Sequence, residues 1–249
     1  MVPETLRIVT LVWLTAPAVL FPVLLRVTVP YGRHASPRWG PLMPTRLAWF
    51  LMEAVALTAF PTALLRAGGP AGTAAAVTAG AFLLHYLNRT AVFPLQLPPG
   101  RTVPAAVAAM GVAFNAINGT LNGWWLALVP AAGPAWYREP RFLAGCVTFA
   151  AGMALNVVSD QKLLALRRRE GRHAVPRGGP FELVSCPNLL GEIVEWTGWA
   201  VMAANPAAAA FAVWTAANLI PRALAHHRWL RERFPDYPPR RRAIVPFLL

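Results

Sequence analysis

The chain has 249 residues, of which 56% are hydrophobic and only 13% are charged. Soluble domains contain about 25% charged residues, so this composition excludes an ordinary soluble protein and predicts an integral membrane protein. The formal net charge of +13 comes from arginine, since Lys162 is the only lysine, and the Arg-, Ala- and Pro-rich composition is typical of a bacterial protein. Two cysteines are too few for a disulfide framework or a metal cluster, so no metal is expected.

Seven apolar runs are each long enough to cross the ~30 Å hydrocarbon core as a helix. We therefore expect an all-α integral membrane protein, with one domain of seven transmembrane helices over residues 1–249. The sixth and seventh runs meet at Asn205 and Pro206, which predicts a tight helical hairpin. The first run has no basic segment before it and no clear cleavage site, so we interpret it as a retained span. The predicted spans are 6–28, 45–66, 72–97, 103–130, 142–165, 189–205 and 206–228.

The arginines predict the orientation of these spans. Sixteen arginines flank the spans on one side and four on the other. By the positive-inside rule, the N-terminus lies outside and the C-terminus lies in the cytoplasm. The expected location is a bacterial inner membrane. Arg240, Arg241 and Arg242 in the tail are expected to enforce this topology or to bind anionic lipid.

Polar side chains occur inside six of the seven spans, mostly in the half nearer the cytoplasm. A carboxylate in hydrocarbon costs roughly 3 kcal/mol or more, so these residues are expected to face the bundle interior or a wet cavity. Asn188, Glu192 and Glu195 share one face of the sixth helix because they lie four and three residues apart. Such a bundle, ringed by basic loops, suits an anionic, hydrogen-bonding ligand from the cytosol. The other members of this polar set are Glu53, His85, Tyr86, Asn88, Arg89, Asn115, Asn118, Asn122, Asn156, Asp160, Asn218, Arg222 and His226.

Several of these residues have a structural role as an alternative. Intramembrane asparagines such as Asn115 can bridge helices, for about 1 kcal/mol each. Arg222 with Asp160 or Glu192 could form a buried ion pair that only fixes the packing. His85 is expected to make a helix–helix hydrogen bond rather than to act in catalysis.

Seven short motifs follow one another from the third predicted helix to the tail. They are 85–90 (HYLNRT), 118–123 (NGTLNG), 156–160 (NVVSD), 178–181 (GGPF), 188–196 (NLLGEIVEW), 222–228 (RALAHHR) and 234–238 (FPDYP). In this order they resemble the steroid 5-alpha-reductases, from about residue 50 to the C-terminus, with the reductase region at about 100–249. The resemblance implies a seven-helix fold with a cofactor site that faces the cytoplasm. No Gly-x-Gly-x-x-Gly loop follows a strand, so a Rossmann dinucleotide site is not expected.

The resemblance also implies a reaction, the NADPH-dependent reduction of the C4–C5 double bond of a 3-oxo-Δ4 steroid such as testosterone or progesterone. Hydride addition to the β carbon places negative charge on the ketone oxygen, which requires a preorganised hydrogen-bond donor. Tyr86 matches the family's donor and Glu53 matches its partner, so both are implied as catalytic. A steroid-like substrate and membrane lipid are the implied partners, with no nucleic acid and no obligate protein partner. The residues implied for NADPH binding are Asn156, Asp160, Arg167, Asn188, Glu192, Trp196, Arg222 and His226.

Three other functions stay open on the sequence alone. The first is a membrane reductase of another lipid enone, an enoyl-thioester or a polyprenol. The second is a membrane methyltransferase that uses S-adenosylmethionine and has no need for a Tyr86–Glu53 pair. The third is a lipid transporter, in which the buried charges would line a substrate path.

Overall fold

Long helices make up most of the computed structural model, which describes residues 2–29, 37–129, 135–170 and 174–249. Arg33 and Arg172, which contribute to the predicted topology, lie outside the described residues. The helices are α1 (Glu4–Arg26), α2 (Thr45–Arg66), α3 (Gly72–Leu87), α4 (Phe93–Gln96), α5 (Ala105–Leu128), α6 (Pro140–Glu170), α7 (Pro187–Ala203) and α8 (Pro206–Arg233). A π-helical turn, Asn88–Val92, joins α3 to α4 without a break.

These helices occupy the seven runs that the sequence predicts. The largest differences are at the C-terminal ends of α6 and α8, which continue to Glu170 and Arg233, beyond the predicted ends at 165 and 228. Both extensions are rich in charged residues. Hydropathy detects only the part of a helix that lies in hydrocarbon, so it misses such ends.

The protein is an integral membrane protein, and four of its described helices are long and apolar enough to cross a bilayer: α1, α2, α6 and α8. In the remaining runs, α3 is followed by the π turn, α7 has only 17 residues, and three asparagines lower the hydropathy of α5. Seven crossings and their orientation therefore stay a prediction.

In the described bundle, α3 links two closely packed helix pairs, α2 with α5 and α6 with α7. α2 packs on α5, α6 packs on α7, and α8 packs on both α1 and α7, while α3 contacts α2 and α7. Aromatic rings fill the space between these helices. Phe60 of α2 stacks on Phe82 of α3 with ring centroids 4.0 Å apart, and Trp199 and Phe211 close the same cluster.

The turn between α7 and α8 confirms the predicted hairpin. Ala204 takes the left-handed conformation (φ 47°) and ends α7. Asn205 then caps α8, because its side-chain oxygen accepts a hydrogen bond from the Ala208 N–H at 3.0 Å. Pro206 follows at the first helical position, where its missing N–H costs nothing.

Two three-residue strands accompany the helices, and with so little sheet the described fold is consistent with the predicted all-α class. β1 (Leu42–Pro44) pairs antiparallel with β2 (Thr102–Pro104), and Met43 lies opposite Val103. Three-residue strands are too short for the two-residue alternation that identifies a strand in a sequence. The ribbon fixes the starts of α2 and α5 next to each other.

Glycines allow α6 and α7 to approach closely. A Cβ atom added at Gly152 would collide with the backbone of Glu195, and one added at Gly198 would collide with the backbone of Phe149. Small residues at a helix interface bring the two backbones together in a membrane protein. Polar side chains on the two helices can therefore reach each other directly.

We expect Gly152→Ala to destabilise the protein by about 1–3 kcal/mol, because the added methyl group must push α6 and α7 apart. The measurement is the free energy of unfolding in detergent, from a denaturant titration. Gly80→Ala in α3 is the matched control, since a Cβ there meets nothing within 4 Å. The control should be neutral or slightly stabilising, because alanine favours a helix by about 1 kcal/mol over glycine. Equal stability of the two variants would contradict the close packing.

Candidate functional site

A single polar cluster lies inside the helical bundle, and its side chains come from α2, α3, the π turn, α5, α6 and α7. Each member contacts or interacts electrostatically with at least one other member. All of these residues belong to the predicted polar set. The described members are Glu53, His85, Tyr86, Arg89, Asn115, Asn156, Asp160, Asn188, Glu192 and Glu195.

The two residues implied as catalytic lie beside the same asparagine. Tyr86 is 3% exposed, and its hydroxyl donates a hydrogen bond to Asn115 Oδ1 at 3.2 Å. The Asn115 amide donates in turn to the Met52 carbonyl oxygen at 2.8 Å. The Glu53 carboxyl, which is only half-buried, interacts with the Asn115 side chain and its charge acts on the Tyr86 phenol. Asn115 therefore links α5 to α2 and α3.

Arg89 is the positive charge at the centre of the cluster. Its sequence motif did not indicate a role for it. Its guanidinium contacts Asp160 Oδ2 at 3.2 Å and Glu192 Oε2 at 3.7 Å. It also lies over the rings of Trp49 and Phe93, at 4.4 and 4.6 Å from their centroids. The ion pairs described for these two carboxylates are both with Arg89, whereas the sequence suggested Arg222 as the partner. Arg89 thus joins α6 and α7 to the end of α3.

The π-helical turn explains why the sequence did not reveal this partner. Arg89 lies in the turn Asn88–Val92, which follows α3 directly. A π turn carries one residue more than an α-helical turn, so it changes the direction of the side chains that follow. The only signal in the sequence is the spacing, because Arg89 lies three residues after Tyr86, on the same side of an α-helix.

His85 and Glu195 form a second buried pair. His85 Nδ1 lies 2.7 Å from Glu195 Oε1, and the two residues are 4% and 0% exposed. This contact joins α3 to α7, so the expectation of a helix–helix hydrogen bond for His85 is confirmed. The other carboxylate oxygen of Glu195 is buried and has no hydrogen-bond partner among the described residues.

Trp196 lies next to these residues rather than at the edge of the bundle. It is 1% exposed, and its ring centroid lies 4.5 Å from that of His85 and 5.7 Å from that of Tyr86. Its contact with Phe211 at 4.1 Å joins the polar cluster to the aromatic core. The predicted contact of Trp196 with the nicotinamide stays a prediction.

Four of the residues implied for the cofactor meet at the α6–α7 contact. Asn156 donates to the Asn188 backbone carbonyl at 3.0 Å, and Asn188 donates to Asp160 Oδ1 at 3.0 Å. Glu192 lies one turn after Asn188 on α7 and reaches Arg89. Arg167 lies further along α6, half-buried, and its charge acts on Asp160.

The implied residues of α8 lie beside the start of α7. Ala223 packs with Cys186, which immediately precedes α7, so the segment of α8 that carries Arg222 lies beside the start of α7. His226 lies one turn further on, and both side chains are half-buried. Asn218 is exposed, so it does not share their inward-facing surface as expected. Asn218 lies about 40° from Arg222 and about 80° from His226 around the helix, so it lies at the edge of the face that they share.

The tail arginines require a correction, because Arg241 has a structural role. It is 2% exposed, donates to the Pro176 carbonyl at 2.9 Å and lies 3.6 Å from the Glu182 carboxylate. A hydrogen bond from the Gly178 N–H, together with the Arg241 charge, lowers the pKa of Glu182 below its ordinary value. The motif 178–181 is thus held against the tail, whereas Arg240 and Arg242 are exposed.

Comparison with known proteins identifies relatives over most of the chain. A family model described as 3-oxo-5-alpha-steroid 4-dehydrogenase matches residues 101–249. The chain is 41% identical to steroid 5-alpha-reductase DET2 of Gossypium hirsutum, over 88% of each protein. It is 38% identical to the DET2 protein of Arabidopsis thaliana, over 91% of this chain and 90% of the relative. It is 39% identical to 3-oxo-5-alpha-steroid 4-dehydrogenase 2 of Homo sapiens, over 88% of this chain and 87% of the relative.

We expect Arg89→Met to destabilise the protein by about 3–5 kcal/mol, because it leaves the buried Asp160 carboxylate and the partly buried Glu192 carboxylate without their described counter-charge. Asp160→Asn should cost less, and the double variant Arg89→Met/Asp160→Asn should be more stable than the sum of the two changes predicts. We expect a coupling of about 0.5–3 kcal/mol between the two sites, measured by unfolding in detergent. The exposed Arg66→Met is the control for loss of an arginine. Strict additivity of the pair would contradict the ion pair.

Proposed function

Because the chain belongs to the 3-oxo-5-alpha-steroid 4-dehydrogenase family and is an oxidoreductase acting on CH–CH groups, we propose that it is a membrane-bound, NADPH-dependent steroid reductase. Its substrates are 3-oxo-Δ4 steroids such as testosterone and progesterone, and its products are the 5α-dihydro steroids. Membership of this family argues against a methyltransferase and against a lipid transporter.

The observation that carries this proposal is the arrangement of the buried Tyr86 and Asn115 beside the half-buried Glu53. When bound, NADPH supplies the hydride for the carbon β to the ketone, and the α carbon takes a proton. Negative charge then grows on the ketone oxygen, and the Tyr86 hydroxyl is the donor that stabilises it. A preorganised donor in a site without water is worth several kcal/mol in the transition state.

Glu53 supports the donor from the neighbouring helix. A protonated carboxyl beside the phenol can donate to the hydroxyl oxygen and hold it in place, or can itself donate to the ketone, whereas a carboxylate would compete with the ketone for the single phenol hydrogen. The half-buried Glu53 side chain lies beside Asn115, and its charge acts on Tyr86. A protonated Glu53 can therefore assist the Tyr86 donor.

The residues at the α6–α7 contact fit the cofactor by their chemistry. Asn188, Asp160 and Glu192 form a hydrogen-bonded and ion-paired group whose Asn188 and Glu192 side chains are only partly buried. Amides and carboxylates of this kind can take ribose hydroxyls and a carboxamide. Arg167 and Arg222 are suited to phosphate groups, because a guanidinium binds two oxygens at once. Asn156, Trp196 and His226 complete the proposed NADPH site.

The orientation of the site follows from the arginines. The C-terminal end of α6, with Arg167 and its two neighbouring arginines, and the exposed Arg240 and Arg242 lie on the arginine-rich side. The positive-inside rule assigns this side to the cytoplasm. NADPH therefore enters from the cytoplasm of a bacterial cell, while the steroid reaches Tyr86 from the inner membrane.

We expect Tyr86→Phe and Glu53→Gln each to lower kcat for testosterone reduction by about 10²–10³-fold, because each removes part of the oxyanion stabilisation. The measurement is the rate of 5α-dihydrotestosterone formation by the purified protein with NADPH, followed by mass spectrometry. Tyr137→Phe, a change outside the cluster, is the control and should keep wild-type turnover. The assignment is wrong if both variants fold, bind NADPH and turn over like the wild type.

NADPH affinity tests the proposed cofactor residues. Arg222→Ala should weaken NADPH binding about tenfold or more, because it removes a charged hydrogen-bond donor to phosphate, a bond of about 1.5–3 kcal/mol. Asp160→Asn should weaken it less, because the amide retains part of the hydrogen bonding. The measurement is NADPH fluorescence on binding to protein in detergent, with Arg66→Ala at the far end of α2 as the control. Unchanged affinity in both site variants would exclude this part of the cluster as the NADPH site.

A further inference from the structure

Asn115 makes more contacts with the proposed catalytic pair than any role in packing requires. Its amide nitrogen donates to the Met52 carbonyl oxygen, and its side-chain oxygen accepts from the Tyr86 hydroxyl. The Glu53 carboxyl interacts with the same side chain. Asn115 is itself 6% exposed, so water has little access to these bonds.

The direction of these hydrogen bonds follows from the partners. The Met52 carbonyl oxygen can only accept, so the NH₂ group of Asn115 must face it. The Asn115 oxygen therefore faces Tyr86 and also can only accept. It follows that Tyr86 donates its single O–H hydrogen bond to Asn115 when no substrate is present.

A second asparagine on the same helix shows what a structural asparagine looks like in this bundle. Asn122 donates to the backbone and side-chain oxygens of Asn118, one turn earlier in α5. Those bonds stay within one helix. Asn115 instead joins α5 to the backbone of α2 and to the hydroxyl of α3, at the point where the reaction is proposed to occur.

Resting on the proposed function, we propose that Asn115 is a positioning residue that holds the Tyr86 hydroxyl and the Glu53 carboxyl. When the substrate ketone binds, it replaces Asn115 as the acceptor of the hydrogen bond from the Tyr86 hydroxyl. In the ground state the ketone replaces one neutral acceptor with another, so the exchange gains little. As negative charge grows on the ketone oxygen, its bond to Tyr86 becomes charge-assisted, and such bonds are roughly twice as strong as neutral ones. The gain therefore falls on the transition state and raises kcat rather than substrate affinity.

The test compares Asn115→Leu and Asn115→Asp with the control Asn122→Leu, using the reductase assay with NADPH and testosterone. Asn115→Leu frees the phenol and the carboxyl from their common partner, so kcat should fall about 10–100-fold while the KM for NADPH stays unchanged. Asn122→Leu also removes a buried asparagine of α5, but it should keep kcat within about twofold if it folds.

The pH dependence separates positioning from packing. Asn115→Asp keeps the shape of the side chain and an acceptor for Tyr86, but it places a second carboxyl group beside Glu53. Two adjacent carboxyl groups resist losing both protons, so the variant should hold a proton at higher pH than the wild type. We therefore expect the kcat profile of Asn115→Asp to show an added loss of activity as pH rises, with partial recovery at acidic pH.

Two results would overturn this role for Asn115: a kcat of Asn115→Leu within twofold of the wild type, or a wild-type pH profile for Asn115→Asp. If Asn115→Leu does not fold, the pH profile of the near-isosteric Asn115→Asp variant alone decides whether Asn115 has this role. Tyr86→Phe is measured in parallel to distinguish a failure of the proposed function from a failure of the role of Asn115. Wild-type turnover by Tyr86→Phe would refute the proposed function, whereas its loss beside fully active Asn115 variants would refute only the role of Asn115.

Discussion

The burial of charge in an apolar bundle is the constraint on which the rest of the structure depends. Carboxyl groups from α2, α6 and α7 lie among helices that are otherwise hydrophobic, and each would be costly without a partner. Arg89 contacts Asp160 and Glu192, His85 contacts Glu195, and Asn115 interacts with Glu53. These partners come from α3, the π turn and α5, so the polar contacts decide which helices must meet.

Local geometry makes these contacts possible. The π turn Asn88–Val92 lies where Arg89 must reach across to α6 and α7. Gly152 and Gly198 let α6 and α7 approach until Asn156, Asp160 and Asn188 can bond to one another. Asn188, together with the neighbouring Glu192, is partly exposed and is therefore available to a ligand. The structure and the proposed chemistry thus use one set of residues, so we expect changes there to affect both stability and activity.

The sequence predicts the parts of this molecule that depend on periodic patterns. Hydropathy locates the helical runs. The pair Asn205–Pro206 predicts the tight turn between α7 and α8, because capping and proline geometry are local properties. The contacts of Arg89 and Arg241 are not predictable in this way. A long side chain can reach partners in several directions, and its choice depends on how distant helices pack. The bridge made by Asn115 likewise appears only when α2, α3 and α5 are assembled.

The measurement that tests the central claim most directly is the fate of the transferred hydrogen. The purified protein is given progesterone and NADPH that carries deuterium at the transferable position of its nicotinamide, and the product is analysed by mass spectrometry and NMR. The account predicts one deuterium on the carbon β to the ketone, C5 in the 5α configuration, and a solvent-derived hydrogen on the α carbon. A reduced product without deuterium, or with deuterium on the α carbon, would contradict hydride delivery to an enone polarised at its ketone.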